Sequence, residues 1–127
     1  MDDKLILAVS WHQKVKEEHI VATADYLSLI FHPSEVEIIT KKLYKHDHHI
    51  EFHKAKDLLR ASGLAPLPES DPEVAEHLTK IREGKALHPV VIVSRKERLY
   101  IADGFHRICA CYIVNESTEV GGAHIIL

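Results

Sequence analysis

The residues best able to do chemistry stand together in Asp103-Gly104-Phe105-His106-Arg107. A strand that ends in Asp-Gly and passes directly into an apolar helix presents free backbone N–H groups at the helix start, and such a terminus attracts anions. Gly104 lets the backbone turn tightly and lets a ligand come close. His106 and Arg107 fall in the first turn, where a phosphate or carboxylate would rest. The guanidinium offers a fixed fork of donors suited to phosphate oxygens. Asp103 has three readings: it could cap the helix, hold a metal ion or act as a base. Asp-Gly is also ordinary turn chemistry, and Asp is a good N-cap with no catalytic role. A cation near a helix N-terminus is electrostatically unfavourable. Arg107 therefore needs either a bound anion or an acidic neighbour.

Two other groups of reactive side chains read more plainly. Eleven histidines are many for 127 residues, and His46-Asp47-His48-His49 with His53 suggests metal ligands at first sight. Metal ligands must converge, with partners behind each imidazole. The alternation Ile50-Glu51-Phe52 reads instead as a loop running into a strand, and no metal ligand is assigned there. Cys109 and Cys111 lie on nearly opposite sides of a helix, so they neither bridge each other nor form a C-x-x-C motif. They read as small apolar core residues.

The elements that must position the turn follow from periodicity. Residues 16–31 carry Ile20, Ala24 and Leu27 on one helical stripe, with Pro33 as the stop. Ser34-x-x-Glu37 matches a capping box, and Val36, Ile39 and Leu43 extend a second helix over residues 35–45. Neither helix carries residues that converge on chemistry, so each is expected to cover a sheet face or offer a partner surface. Residues 50–53 fit a short strand, and residues 55–62 a helix stopped by Gly63. Residues 64–68 must be extended. Ser70-Asp71-Pro72-Glu73 starts a helix with Val74, Leu78 and Ile81 inward and Gly84 at its end. Pro89-Val90-Val91-Ile92-Val93 is a buried strand. A polar turn at Arg95-Lys96-Glu97 leads to the returning strand Leu99-Tyr100-Ile101-Ala102. Residues 105–114 form a helix apolar almost all round, hence central. Gly121-Gly122 precede a last strand at residues 123–126.

Length allows one hydrophobic core and one domain, with residues 1–48 as a helical extension and residues 50–127 as the core. The net charge is −3, with both signs mixed along the chain. Duplex binders usually carry a basic excess, since phosphate neutralisation supplies most of their affinity. No apolar run is long enough to span a membrane. Asp2 and Asp3 give the N-terminus the wrong charge for a secretory signal, so a cytoplasmic location is expected.

The order of these elements meets a known pattern. Asp57-Leu58-Leu59-Arg60, then Lys80-Ile81-Arg82-Glu83-Gly84, His88-Pro89-Val90-Val91-Ile92-Val93 and finally Ile101-Ala102-Asp103-Gly104-Phe105-His106-Arg107-Ile108-Cys109-Ala110 resemble the ParB/sulfiredoxin-like superfamily. The resemblance covers about three-fifths of the chain and leaves out the helical first half. It implies an α+β fold, a small mixed sheet with helices, that binds a nucleoside phosphate at the glycine turn. ATP or another nucleoside phosphate with Mg²⁺ is the implied cofactor class. By position, Gly104, His106 and Arg107 would face the phosphates. Arg60 and Lys80 would approach the same site, and Asp103 and His106 are the catalytic candidates. Sulfiredoxin carries its catalytic cysteine where Phe105 stands, so its sulfur chemistry is not expected. ParB usually has an acidic residue there, and continues into DNA-binding and dimerisation segments that this sequence does not show.

Three functions follow. The first is binding of a nucleotide or other phosphate ligand, with phosphoryl transfer or nucleotide hydrolysis as the associated chemistry. The second is a ParB-like nuclease or DNA-binding protein, whose mark would be a Lys/Arg strip leading away from Arg107; Lys54, Lys56 and Arg60 could make such a strip or simply be a solvated face. The third is a non-catalytic regulatory module, with the turn plugged by Phe105 and the N-terminal helices as its contact or oligomer surface. Arg107→Ala is expected to abolish ligand binding and leave the fold intact.

Overall fold

A computed structural model describes residues 9–45 and 49–127. Residues 1–8, with the acidic start and most of the first apolar run, lie outside the described residues. So do His46, Asp47 and His48. The chain forms α1 (Glu17–Leu27), α2 (Pro33–Tyr44), β1 (Ile50–Lys54), α3 (Ala55–Ser62), α4 (Pro72–Arg82), β2 (Val90–Arg95), β3 (Arg98–Asp103), α5 (Phe105–Val114) and β4 (Glu119–Ile126). The strands make one mixed sheet in the order β1-β4-β2-β3. β4 runs parallel to β2, and both outer strands are antiparallel to their neighbours. The fold class is α+β, as the sequence pattern implies.

The β-branched run of β2 is buried on both faces because both faces carry helices. Val90 and Ile92 join Val120 and α3, α4 and α5 in one core. Val91 and Val93 join Ala102, Ala123 and Ile125 beneath α1 and α2 in the other. Each fully buried Leu, Ile or Val contributes about 1.5–3 kcal/mol. The N-terminal helices thus share the sheet's core. Among the described residues no helix is long and apolar enough to cross a membrane.

Three boundaries differ from the sequence pattern, each for a local reason. α1 stops at Leu27, well short of residue 31. Ile30 and Phe31 then donate back to the Leu27 carbonyl, at 2.9 and 2.7 Å. This tight return buries Phe31, whose ring meets the edge of Tyr100 and lies 4.2 Å from the Arg95 guanidinium. Pro33 opens α2 rather than ending α1. At the first helical position its missing N–H costs nothing, and the capping box is His32 with Glu35 instead of Ser34 with Glu37. Gly121 and Gly122 sit inside β4 rather than ahead of it. A Cβ on Gly121 would come within 3.0 Å of the Trp11 ring, and one on Gly122 within 3.1 Å of Ile92 and Val90. Those glycines serve close packing, not a turn.

Candidate functional site: an imidazole-lined cleft

β3 delivers Asp103 opposite Val91 and hands over to α5 through Gly104, whose φ is +102°. A Cβ on Gly104 would meet Val90 Cγ1 at 2.4 Å and Arg107 Nη2 at 2.9 Å. The close approach that glycine permits here is therefore made by Val90 and Arg107. Asp103 does not cap α5, whose N-cap is Gly104 with no side-chain cap bond. Its carboxylate instead takes a hydrogen bond from Arg107 Nη2 at 2.7 Å. Arg107 Nη1 donates to the carbonyls of His88 at 2.6 Å and Pro89 at 3.1 Å. The acidic neighbour that Arg107 needs is thus Asp103, and the arginine is only 4% exposed. Burial pulls the Arg107 pKa down and pushes that of Asp103 up, and their mutual attraction opposes both shifts. Removing Arg107 would leave a half-buried carboxylate and two carbonyls unpaired. Arg107→Ala is accordingly a change to the fold, not the clean binding test the sequence suggested.

One face of Arg107 remains on a cleft of about 570 Å³ between the start of α1, α4 and the segment leading into β2. Lys16, His19, His77, Lys80 and His88 share its wall. His19 Nδ1 lies 3.5 Å from Arg107 Nη1 and 3.9 Å from Asp103 Oδ2. An Nδ1 that accepts from a guanidinium carries no proton, so the imidazole is neutral. Burial first, and then the Arg107 charge, hold His19 down at about 4. His77 is held at about 4 by the same two causes, with Lys80 adding to them. His88, stacked on His12 at 4.2 Å, is lowered by burial, then by His12, Lys16, Arg107 and Lys80. Nδ1 of His77 and of His88 is buried without a hydrogen-bond partner. Carboxylates also border the cleft but are engaged. Glu18 pairs with Lys16, Glu76 lies 3.8 Å from Lys80, and Glu73 lies 3.2 Å from His106.

The residues expected to act together are only partly together. Arg107 and Lys80 share the cleft, and Asp103 stands behind Arg107 within reach of His19. Gly104 is covered by Val90. His106 faces Glu73 and Asp71 at the start of α4 and does not line the cleft. Arg60 is well exposed, paired with Asp57 at 3.1 Å, and borders a different cleft with Tyr26 and Tyr100. Neither Lys54, Lys56 nor Arg60 lines the Arg107 cleft, and nor does Phe105, which packs against the core. Lys16, His19, His77 and His88 were not legible as a group. α1 read as a covering helix, and the three histidines come from separate elements. Their one local signal was His88 beside the strand-starting Pro89.

Cations and the N–H groups of neutral imidazoles suit an anion; with Nδ1 turned to Arg107, His19 keeps its N–H on Nε2 as a donor. Cysteine chemistry is absent from the site. Burial pushes the Cys111 thiol up to about 12 and raises that of Cys109. Among the described residues the cleft groups no three metal-ligating atoms. That arrangement occurs at Glu51, His53 and His124 on the β1–β4 edge of the sheet. Comparison with known protein families, curated proteins and solved structures finds no match to this chain.

Proposed function

We propose that this chain is a ParB/sulfiredoxin-like protein that binds a nucleotide or another phosphate-bearing small molecule in the Arg107 cleft. The observation that carries this reading is that Lys16 at the start of α1, Lys80 of α4 and Arg107 of α5 converge on one cleft. Burial, and then His12, Lys16, Arg107 and Lys80, lower the His88 pKa, which agrees with cations gathered at this place. Glu18, Glu73 and Glu76 border the same cleft, and each already lies beside a cation or an imidazole. A volume of about 570 Å³ falls within the range of small-molecule sites. Lys16 and Lys80 approach a phosphate group from opposite walls, and Arg107 sets the charge of the floor. If a phosphoryl group is transferred or hydrolysed, positioning and charge neutralisation supply most of the catalysis.

The nucleic-acid reading has less support. The chain is net acidic, and its Lys54, Lys56 and Arg60 do not extend the cleft.

The test is a thermal-shift screen of ATP, ADP, CTP and GTP, each with and without Mg²⁺. A ligand that binds only the folded chain raises the melting temperature by mass action. Lys16→Ala/Lys80→Ala should fold as the wild type does, since both side chains are about half exposed. Removing one lysine–phosphate hydrogen bond should cost about 1.5–3 kcal/mol, at least tenfold in Kd. A selective shift in the wild type that disappears in the double variant supports the reading. No shift from any of the four nucleotides overturns it, and DNA binding at low salt becomes the next measurement.

A further inference from the structure

On the sheet edge opposite β3, three potential ligands converge away from the cleft. Glu51 and His53 alternate along β1, so both project from one face of the sheet. β1 pairs with β4 in a register that sets Glu51 opposite Gly122 and His53 opposite Val120. His124 lies two residues beyond Gly122, on the same face and diagonal to Glu51. Gly122 contributes no side chain between them.

The spacing distinguishes co-ligation from simple pairing. Glu51 Oε1 lies 3.4 Å from His53 Nε2 and 3.8 Å from His124 Nδ1, and the three ligand atoms all fall within 4.8 Å of one another. A charge-assisted N–H···O bond would close to about 2.7–2.9 Å. Two ligand atoms about 2.0–2.2 Å from one tetrahedral metal stand about 3.4 Å apart. The group is too wide for a hydrogen-bonded cluster and suited to a shared ion. Two further observations agree. His53 Nε2 is buried without a hydrogen-bond partner. His124 Nε2 meets Ser94 Oγ at 2.6 Å. With the N–H on Nε2 donated to that hydroxyl, the Nδ1 lone pair is directed toward Glu51. Such an outer partner is what orients a metal-binding imidazole.

We infer that Glu51, His53 and His124 bind one Zn²⁺, with water completing a tetrahedral set and Ser94 orienting His124. Two imidazoles and one carboxylate are borderline donors that suit zinc over magnesium or calcium. The ion pins edge strand β1 to β4. Its site is independent of the Arg107 cleft, so either can be refuted without the other.

Zinc titration of the full chain by calorimetry in a non-chelating buffer tests this. Co²⁺ absorption reports the ligand set. The wild type should bind one Zn²⁺ per chain, and the bound ion should raise the melting temperature. Glu51→Gln and His53→Gln, both at accessible positions, should each lose that binding while keeping the wild-type circular dichroism. Ser94→Ala should retain the stoichiometry and weaken binding about 10–100-fold. His46→Gln/His48→Gln/His49→Gln should bind as the wild type does. No saturable Zn²⁺ binding in the wild type overturns the assignment. Equal binding by wild type and His53→Gln overturns it too, as does loss of binding in the His46/His48/His49 variant.

Discussion

Arg107 makes four hydrogen bonds within the protein, one to a carboxylate, two to carbonyls and a longer one to His19 Nδ1. Breaking a buried ion pair from one side costs about 3–5 kcal/mol, because the abandoned charge stays behind. Arg107→Ala should therefore lower unfolding stability by at least about 3 kcal/mol, measured by urea denaturation. Adding Asp103→Ala should return part of that loss, since no lone carboxylate then remains. If the double variant is as unstable as the sum of the singles, the pair is not coupled and the carbonyl hydrogen bonds account for the cost. At this scale the sequence was half legible. Arg107 in the first turn of α5 does demand an anion, as elementary electrostatics says. Whether that anion is a ligand or Asp103, four residues earlier, depended on which way the carboxylate turned.

The junction between β3 and α5 joins two elements with little room between them. Gly104→Ala would place a Cβ 2.4 Å from Val90 Cγ1, on a backbone at φ +102°. Both faults penalise the same residue: strain of about 1–3 kcal/mol at such a φ, and overpacking of about 1–3 kcal/mol. The expected result is a loss of roughly 2–6 kcal/mol from those two sources, read as a lowered urea midpoint. Gly104→Ala/Val90→Ala removes the 2.4 Å contact but keeps the Val90 Cβ at 2.7 Å, Arg107 Nη2 at 2.9 Å and the strain, and so should recover only part. Full recovery in that variant would mean that φ strain contributes nothing. Elements bounded by strong local chemistry were legible to the residue: α3 between Lys54 and the left-handed Gly63, and α5 after Gly104. Elements bounded by tertiary demand were not. α1 ends early because Phe31 must reach Tyr100, and Gly121 and Gly122 belong to β4 because Trp11, Ile92 and Val90 crowd them. No local pattern encodes those neighbours.

The whole molecule brings His19 from α1, His77 from α4 and His88 from the approach to β2 to one cleft. Periodicity can assign each residue to an element, but convergence is decided by how both helical layers close on the sheet. That closure has a measurable consequence in acid. His19 and His77 are held near pH 4 in the folded chain, against an ordinary value of 6.5. Between those limits the unfolded chain binds protons that the folded chain refuses, so stability rises with pH across the window and is lost on acidification. Each imidazole contributes at most about 1.4 kcal/mol per pH unit, and less here because both are half-exposed and partly screened. Asp103 acts with the opposite sign: its raised pKa lets the folded chain take up a proton first, which favours folding as pH falls. Glu18, Glu35 and Glu37 are held below the usual carboxylate value of 4.5, so the stability they contribute is lost only below that pH. The interval from about 4.5 to 6.5 therefore reports chiefly on the buried imidazoles. Urea midpoints should fall steadily across it in the wild type, and the slope should flatten in His19→Gln/His77→Gln. If a phosphate-bearing ligand binds as proposed, it offsets the Arg107 charge that lowers both imidazoles, raises their pKa values and takes up protons on binding. Its affinity should accordingly strengthen as pH falls through the same interval, with calorimetric heats that depend on the buffer's ionisation enthalpy. If the double variant keeps the wild-type acid slope, the stability change comes from groups other than His19 and His77. Ligand affinity independent of pH would remove the imidazoles from contact with the anion.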